Sequence, residues 1–247
     1  SNYHTTNASP FNRREIGNLR KTLSPYVIGS SEIEIGASAN YTFGSYSGSG
    51  AAADTSFSIS MWMKTDFSVF DASTAVQLLS KASGALNIMV QGGVLFAMVG
   101  TNGSNLAGVR FSTVNTFAGE WLNLVWTYDA TTYNASKTGS NAAAGMKLYA
   151  NGVDVTGAAI TNGPYLGMPA ANEAVTITNF GGNGTRSPEP DGLFEIAVWS
   201  GKSLSSEEVS ALYDVTNGFA ETDKIKEYLT YSGITSLPVR AFISDLD

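Results

Sequence analysis

The alternation of apolar and polar residues between positions 119 and 155 predicts three consecutive β-strands. In the segment GEWLNLVWTYD (119–129) the residues alternate with a period of two, which is typical of a strand with two different faces. The segment GMKLYANGVDV (145–155) also alternates, and its Asn151-Gly152 pair favours a tight hairpin because both residues tolerate positive φ. The intervening segment Ala130–Ala144, rich in Ser, Asn and Ala, is predicted to be a loop.

Similar short apolar runs recur along the chain and are separated by turn residues. The further predicted strands are 32–35, 57–64, 76–81, 86–91, 94–99, 109–111, 174–180, 193–199 and 239–243. Gly92-Gly93 predicts a second tight hairpin between two of them. Strands of this length and spacing indicate a β-sandwich or jelly roll.

One segment after the strand at 193–199 has the pattern of a helix start. Ser205 can cap the helix and Glu208 can bond back to it, while Leu204 and Val209 occupy the positions of a hydrophobic staple. We expect the helix to end near Gly218, because glycine readily adopts the left-handed conformation that terminates helices. A second short helix is predicted at 222–229.

The two ends of the chain differ in composition from the region between them. Residues 1–30 carry four Lys or Arg residues against one Glu, whereas the whole chain has a net charge of −7. We therefore divide the chain into a basic N-terminal arm (1–30), a β domain (31–218) and a C-terminal extension (219–247). A basic arm can lie on a neighbouring acidic subunit, so we expect the two extensions to contact other protein subunits in an oligomer or larger assembly. The alternative is an arm whose charges are simply solvated.

Charge and residue content exclude several classes of function. The net charge of −7 argues against nucleic acid as the partner, because phosphates need clustered Lys and Arg. No apolar run reaches about 18 residues, so we expect no membrane insertion. The chain has no cysteine, and its single histidine, His4, lies in the arm. Thiolate metal sites are therefore excluded, and a Ser-His-Asp triad would need the arm to fold into the site.

Three segments together resemble the LamG-like, concanavalin A-like lectin/glucanase family over about residues 33–213. They are FSISMWMKTD (57–66), GEWLNLVWTYD with MKLYANGVDV, and DGLFEIAVWSGKSLSSEEVSALY (191–213). The resemblance implies an all-β fold, a two-sheet antiparallel jelly-roll sandwich with one concave sheet. Here we expect one short capped helix and terminal extensions in addition. Members commonly bind glycans or proteins at the concave face or at the rim loops, and some hold calcium.

The sequence departs from the enzymes of this family. Hydrolytic members use a Glu-x-Asp-x-x-Glu arrangement, whose spacing along one strand aims carboxylates into one cleft. No such triplet is present in the chain, and Phe194-Glu195 stands where the family's final strand often carries Asp-Glu. We therefore predict that the protein is not an enzyme.

Candidate binding residues lie in the predicted loops, because loops often carry the residues that bind ligands and large aromatic side chains are otherwise uncommon there. The ligand-binding candidates are Tyr46, Tyr133, Asn134, Asn183 and Arg186. The metal-ligand candidates are Glu189 and Asp191, which could bind a calcium ion together with backbone carbonyls. The alternative for this last loop is a solvated connection with an internal Arg186–Glu189 pair. The four tryptophans, Trp62, Trp121, Trp126 and Trp199, are interpreted as packing residues of the sheets.

Three functional hypotheses follow from the sequence. The first is a non-catalytic module for carbohydrate binding or adhesion, displayed on an extracellular or virion surface and binding glycans or cell-surface polysaccharide. The second is a structural decoration or connector protein of a larger assembly, for example a viral one, joined through residues 1–30 and 219–247. The third is a glycoside hydrolase, which the missing carboxylate motif disfavours.

Overall fold

A computed structural model of the protein describes residues 33–35, 42–64, 75–81, 84–170, 175–177 and 192–220. These residues form two antiparallel sheets, as the sequence predicts. The predicted N-terminal arm, the helix at 222–229 and the strand at 239–243 lie outside the described residues. The division into a core domain and two extensions stays a prediction.

The larger sheet of the described part has seven strands in the order β1-β11-β3-β4-β5-β6-β10. Its strands are β1 (Ile33–Ile35), β3 (Val76–Lys81), β4 (Leu86–Gln91), β5 (Val94–Gly100), β6 (Leu106–Phe111), β10 (Ala159–Asn162) and β11 (Val175–Ile177). Strand β6 is longer than predicted, and β10 was not predicted. Three of the four β10 residues are exposed, so this edge strand lacks the alternation that marks a half-buried strand.

The smaller sheet of the described part has five strands in the order β12-β2-β7-β8-β9. Its strands are β2 (Phe57–Lys64), β7 (Trp121–Tyr128), β8 (Met146–Ala150), β9 (Val153–Asp154) and β12 (Gly192–Ser200). The predicted turn between β8 and β9 is confirmed, because Asn151 and Gly152 have φ values of 51° and 78°. Strands β2, β7 and β8 have the bounds that the alternating pattern predicts.

The main core lies between the inner faces of the two sheets. Along β4 every second residue is buried, and along β5 the residues Leu95, Ala97 and Val99 are fully buried. Phe57 of the smaller sheet contacts Trp126 edge-on, with ring centroids 5.0 Å apart. This alternation leaves a second, outward-facing set of side chains on each strand.

The predicted loop 130–144 contains two short helices, α1 (Thr131–Ser136) and α2 (Gly139–Ala144), so that prediction is wrong. The side chain of Thr138 caps α2 by accepting a hydrogen bond from the Asn141 backbone. Ala142 and Ala143 are buried in the main core, which stabilises a helix too short to show a clear sequence period.

The predicted capped helix is present as α3 (Ser206–Ala220). The backbone N–H of Ser205 donates to the Glu208 carboxylate at 2.9 Å, and the Glu208 N–H donates to Ser205 Oγ at 3.3 Å. This reciprocal pair confirms the predicted capping box. Gly218 does not end the helix, which continues to Ala220. None of the described helices is long and apolar enough to span a membrane.

The tryptophans mostly act as the packing residues that the sequence suggests. Trp62, Trp126 and Trp199 are buried, and Trp121 is half-buried. The Trp62 ring stacks on Tyr213 of α3 with centroids 5.8 Å apart.

Candidate functional site

The outer face of the five-stranded sheet is covered by α3. Outward residues of three strands form a second apolar cluster with Val209 and Leu212 of the helix. Those strand residues are Val125, Tyr149, Ala197 and Trp199. Ser58 Oγ ties the start of the helix segment to the sheet, because it accepts from Leu204 N at 2.8 Å. A ligand therefore cannot reach this face without displacing α3.

By contrast, no described helix covers the outer face of the seven-stranded sheet. The described helices that contact this sheet, α2 and the 3-10 helix Val114–Phe117, do so through residues of the main core, such as Ala142 and Val114. A row of outward side chains crosses the middle of the sheet from β3 to β6. The register places Gln77, Met89, Phe96 and Arg110 side by side in that row.

A second outward row lies next to the first and completes the surface. It runs through Ser80, Asn87, Met98, Gly108 and Ile160. A Cβ atom at Gly108 would lie only 2.7 Å from Met98 Cγ, so the Met98 side chain occupies the space above the glycine. Met98 is consequently 8% exposed although it belongs to neither apolar cluster. Glycine at 108 thus allows a flat floor beside Arg110.

We define the outer-face platform as Met89, Phe96, Met98 and Arg110. Phe96 and Met89 are half-buried and Arg110 is exposed. Beside them, the Asn87 amide nitrogen lies 4.0 Å from the Met89 sulfur. Directly opposed side chains on adjacent strands are about 4.5–5.5 Å apart at Cβ, so Phe96 and Arg110 can contact one ligand ring.

The platform combines apolar and polar groups. This combination suits a small polar ligand that has apolar patches of its own. A phenyl face and thioether carbons can contact C–H groups, and a guanidinium group donates up to five hydrogen bonds to oxygen atoms. None of the residues named above in the two rows is Asp, Glu or His. The platform residues therefore offer binding contacts without a general acid or base.

A second group of polar residues lies at one end of the sandwich. We call it the rim cluster; its members are Asp54, Tyr128, Tyr133, Asn134, Lys137 and Tyr165. Asp54 is 6% exposed, and its Oδ2 accepts hydrogen bonds from Tyr128 Oη at 2.8 Å and Tyr165 Oη at 2.5 Å. Its Oδ1 accepts from Met168 N at 2.8 Å. One carboxylate thereby joins three distant segments of the chain.

Asn134 and Lys137 complete the rim cluster from helix α1. The Asn134 side chain accepts from Asp54 N at 2.9 Å and donates to Asp54 O at 2.8 Å, as a neighbouring strand would. Lys137 Nζ donates to Ala52 O at 3.0 Å and lies 5.0 Å from the centre of the Tyr133 ring. These contacts hold the loop 44–54 against α1.

Burial dominates the electrostatics of the rim cluster. It raises the pKa of the Asp54 carboxyl above its usual value, although hydrogen bonds, first that from Tyr165, lower the pKa again. Burial and the negative charge of Asp54 raise the pKa of Tyr128 and of Tyr165 far above the ordinary value of a phenol. The phenols therefore stay protonated and act as donors to Asp54.

The structure places three of the sequence-predicted ligand-binding residues, Tyr46, Tyr133 and Asn134, at or near the rim cluster. Tyr133 is not an exposed loop residue: it lies on α1 with 0% exposure, because the helix directs it into the main core. Both groups of the Asn134 amide are engaged with Asp54. Tyr46 is half-buried, and its backbone pairs with Met168 and Ala170. Tyr133 and Asn134 thus make structural contacts in the rim cluster, and their ligand-binding roles stay predictions.

The remaining predicted site residues cannot be compared with the structure. Asn183, Arg186, Glu189 and Asp191 all lie outside the described residues. Among the residues that are described, no group of three or more His, Cys, Asp or Glu side chains could hold a metal ion. The calcium site at Glu189 and Asp191 stays a prediction.

The sequence contained a signal for the platform that the loop-based reasoning missed. The predicted Gly92-Gly93 turn pairs Gln91 with Val94, which by itself places Met89 opposite Phe96. The partner of Phe96 on β6, Arg110, could not be placed in the same way, because the eight-residue segment 101–108 separates β5 from the predicted 109–111 run.

A family model described as the concanavalin A-like lectin/glucanases superfamily matches residues 36–210. The chain belongs to this superfamily. The resemblance that the three sequence segments suggested is thereby confirmed, together with the jelly-roll sandwich. A comparison with curated proteins finds no match.

Solved structures with a similar fold include binding domains of clostridial toxins. The receptor-binding domain of a botulinum neurotoxin C/D mosaic serotype matches at 12% identity and a TM-score of 0.46, covering 65% of this chain and 36% of that chain. The binding domain of Paraclostridial Mosquitocidal Protein 1 matches at 13% identity and a TM-score of 0.47, covering 77% of this chain and 42% of that chain. The chain therefore spans about two fifths of these domains.

Proposed function

We propose that the protein is a non-catalytic carbohydrate-binding module that holds glycans on the outer-face platform. One observation carries the proposal: Phe96 lies between Met89 and Arg110 on the sheet face that no described helix covers. Membership in a superfamily of lectins and glucanases supports carbohydrate as the ligand class. None of the positions of the two rows on β3, β4, β5, β6 and β10 is acidic, which supports binding without catalysis.

The setting of this module forms part of the proposal. We place it on an extracellular or virion surface, where it binds cell-surface polysaccharide and functions in adhesion. Other subunits contact its terminal extensions, and calcium binds at Glu189 and Asp191. The connector role of the extensions is compatible with glycan binding, since the platform lies on the sheet and not at the chain ends. Weaker glycan binding after chelation, restored by added calcium, would support the metal site.

The Phe96→Ala variant tests the platform. A sugar ring stacked on a half-buried phenyl group covers roughly 50 Å² on each partner, which is worth about 2.5 kcal/mol at about 25 cal/mol per Å². We expect affinity to fall by roughly tenfold to a hundredfold, because part of this energy is spent on ordering the ligand. Affinities would be measured by titration calorimetry with glycans selected on an array.

A matched control removes an exposed apolar group from the other sheet. Val153 is 64% exposed on β9, so Val153→Ala should change neither affinity nor melting temperature. Equal affinity of wild type and Phe96→Ala, with both proteins folded by circular dichroism, would contradict the platform. Release of reducing sugar ends from a bound glycan would contradict the non-catalytic assignment.

A further inference from the structure

The cations of the described residues differ in what their charges contact. Five have side chains that the structure describes, namely Lys81, Arg110, Lys137, Lys147 and Lys202. Lys147 pairs with Asp154 at 3.3 Å, and Lys202 pairs with Glu208. Each of these positive charges is therefore compensated by a carboxylate of the same domain.

Of the other three described cations, Lys81, Lys137 and Arg110, only Arg110 has a side chain without a hydrogen bond or ion pair to a described residue. Lys137 donates to Ala52 O and Asn134 Oδ1 at 3.0 and 3.1 Å. Lys81 is 3% exposed and has an interaction partner of its own. Arg110 is exposed, and its guanidinium group has no hydrogen bond or ion pair with any described residue. It is thus free to contact a ligand.

None of the described residues beside Arg110 in the two platform rows is acidic. Its neighbours in the two platform rows are neutral, including Phe96, Met98 and Gly108. Along the adjacent row the first acid in register is Glu34 on β1, at the opposite edge of the sheet. Five strand spacings separate β1 from β6, which is about 24 Å and beyond the screening distance of physiological salt. Among the described residues, Arg110 is therefore a cation without a carboxylate partner, on a protein of net charge −7.

Resting on the proposed function, we propose that the platform selects acidic saccharides, with Arg110 binding a carboxylate or sulfate group of the sugar. The planar guanidinium group matches both anions with two parallel hydrogen bonds. Phe96, directly opposite on β5, then contacts the ring that carries the anion. The aromatic contact accepts many sugars, whereas the charge contact discriminates between acidic and neutral ones.

The test compares each acidic probe with its neutral counterpart on the full chain. The probes are an oligogalacturonate and its carboxyl-reduced form, and a sulfated galactan oligosaccharide and its desulfated form. We expect wild type to bind at least one acidic probe about tenfold more tightly than its neutral form. The two pairs distinguish carboxylate from sulfate as the preferred anion.

Variants assign the preference to Arg110. Arg110→Gln should bring the ratio of acidic to neutral affinity close to one. Arg110→Lys should retain only part of the preference for acidic probes, because an ammonium group cannot form the two parallel hydrogen bonds of a guanidinium group. Lys147→Gln removes an exposed cation that is already paired and should leave the ratio unchanged. Raising NaCl from about 0.05 M to about 0.5 M should reduce the preference of wild type but not that of Arg110→Gln.

The outcomes separate this inference from the proposed function. Equal affinity of wild type for acidic and neutral forms, or an undiminished preference in Arg110→Gln, overturns the acidic specificity and leaves the module a glycan binder. No binding of any probe or array glycan overturns both. A preference that Lys147→Gln also loses would show that net charge and not Arg110 is responsible, and would likewise overturn the inference.

Discussion

Tyr165→Phe removes a single oxygen atom from the rim cluster and tests whether Asp54 holds the loops together. The Tyr165 hydroxyl donates to Asp54 Oδ2, which also accepts from Tyr128 Oη. Tyr165 is 2% exposed, so water cannot replace the lost donor. The phenyl ring that remains fills the same space, and the perturbation is therefore confined to one hydrogen bond.

The cost follows from the charge state of the acceptor. A hydrogen bond to a charged group contributes about 1.5–3 kcal/mol, and one between neutral groups about 0.5–1.5 kcal/mol. We expect Tyr165→Phe to lower the free energy of unfolding by about 2 kcal/mol at pH 7. In a chain of this size that corresponds to a fall of about 4–8 °C in melting temperature.

The pH dependence gives the prediction a second signature. Burial raises the pKa of Asp54 in the folded protein above the ordinary value of 3.8, so its ionisation costs stability as pH rises above that value. The Tyr165 bond favours the ionised form and lowers this pKa, and losing the bond raises the pKa further. The variant should consequently lose less stability at pH 4 than at pH 7.

Tyr133→Phe is the matched control in the same cluster. The Tyr133 ring lies 5.0 Å from that of Tyr165, but its buried hydroxyl has no hydrogen-bond partner among the described residues. Removing an unpaired buried hydroxyl should cost nothing or stabilise the fold slightly. Urea denaturation of the three proteins at both pH values provides the comparison. Equal losses in the two variants, or a Tyr165→Phe loss independent of pH, would refute the reasoning.

Two further substitutions test the cap of α3 and the platform floor. Ser205→Ala should lower the free energy of unfolding by about 1 kcal/mol and the melting temperature by about 2–4 °C. Ser206→Ala, one position inside the helix, should cost much less. Equal losses of stability in the two variants would contradict the capping box. Gly108→Ala should destabilise the protein by about 1–3 kcal/mol, because its Cβ would clash with the Ala97 carbonyl and with Met98. It should also weaken glycan binding by displacing Met98 from the platform, and unchanged calorimetric affinity would speak against that surface.

The sheets could be predicted largely because their signals are local. Leu122, Leu124, Trp126 and Tyr128 of β7 recur at every second position, and Asn151-Gly152 fixes the turn that follows β8. The capping box of α3 is likewise contained in four consecutive residues, so the start of the helix was predictable. Its end was not, since Gly218 lies within a helix that continues to Ala220.

The rim cluster could not be predicted because its partners are distant in sequence. Asp54 bonds to residues 74 and 111 positions away, and nothing in the segment 45–54 distinguishes it from an ordinary loop acid. Tyr133 misled the sequence reasoning for a related reason. A polar neighbourhood suggested exposure, but a single helical turn is enough to direct one aromatic residue inward. The platform required the full strand register, of which the sequence reveals only the Gly92-Gly93 turn.

The strict alternation of β4 and β5 has a consequence for how this module can diversify. Ile88 and Leu95 belong to the core, whereas Met89 and Phe96, their immediate neighbours, belong to the opposite surface. On the proposed function, substitutions at Met89, Phe96 and Arg110 would change the bound sugar while Ile88 and Leu95 keep their core contacts. A library randomised only at these three positions would then vary specificity on the same scaffold. Helix α3, which covers the outer face of the five-stranded sheet, takes no part in that variation.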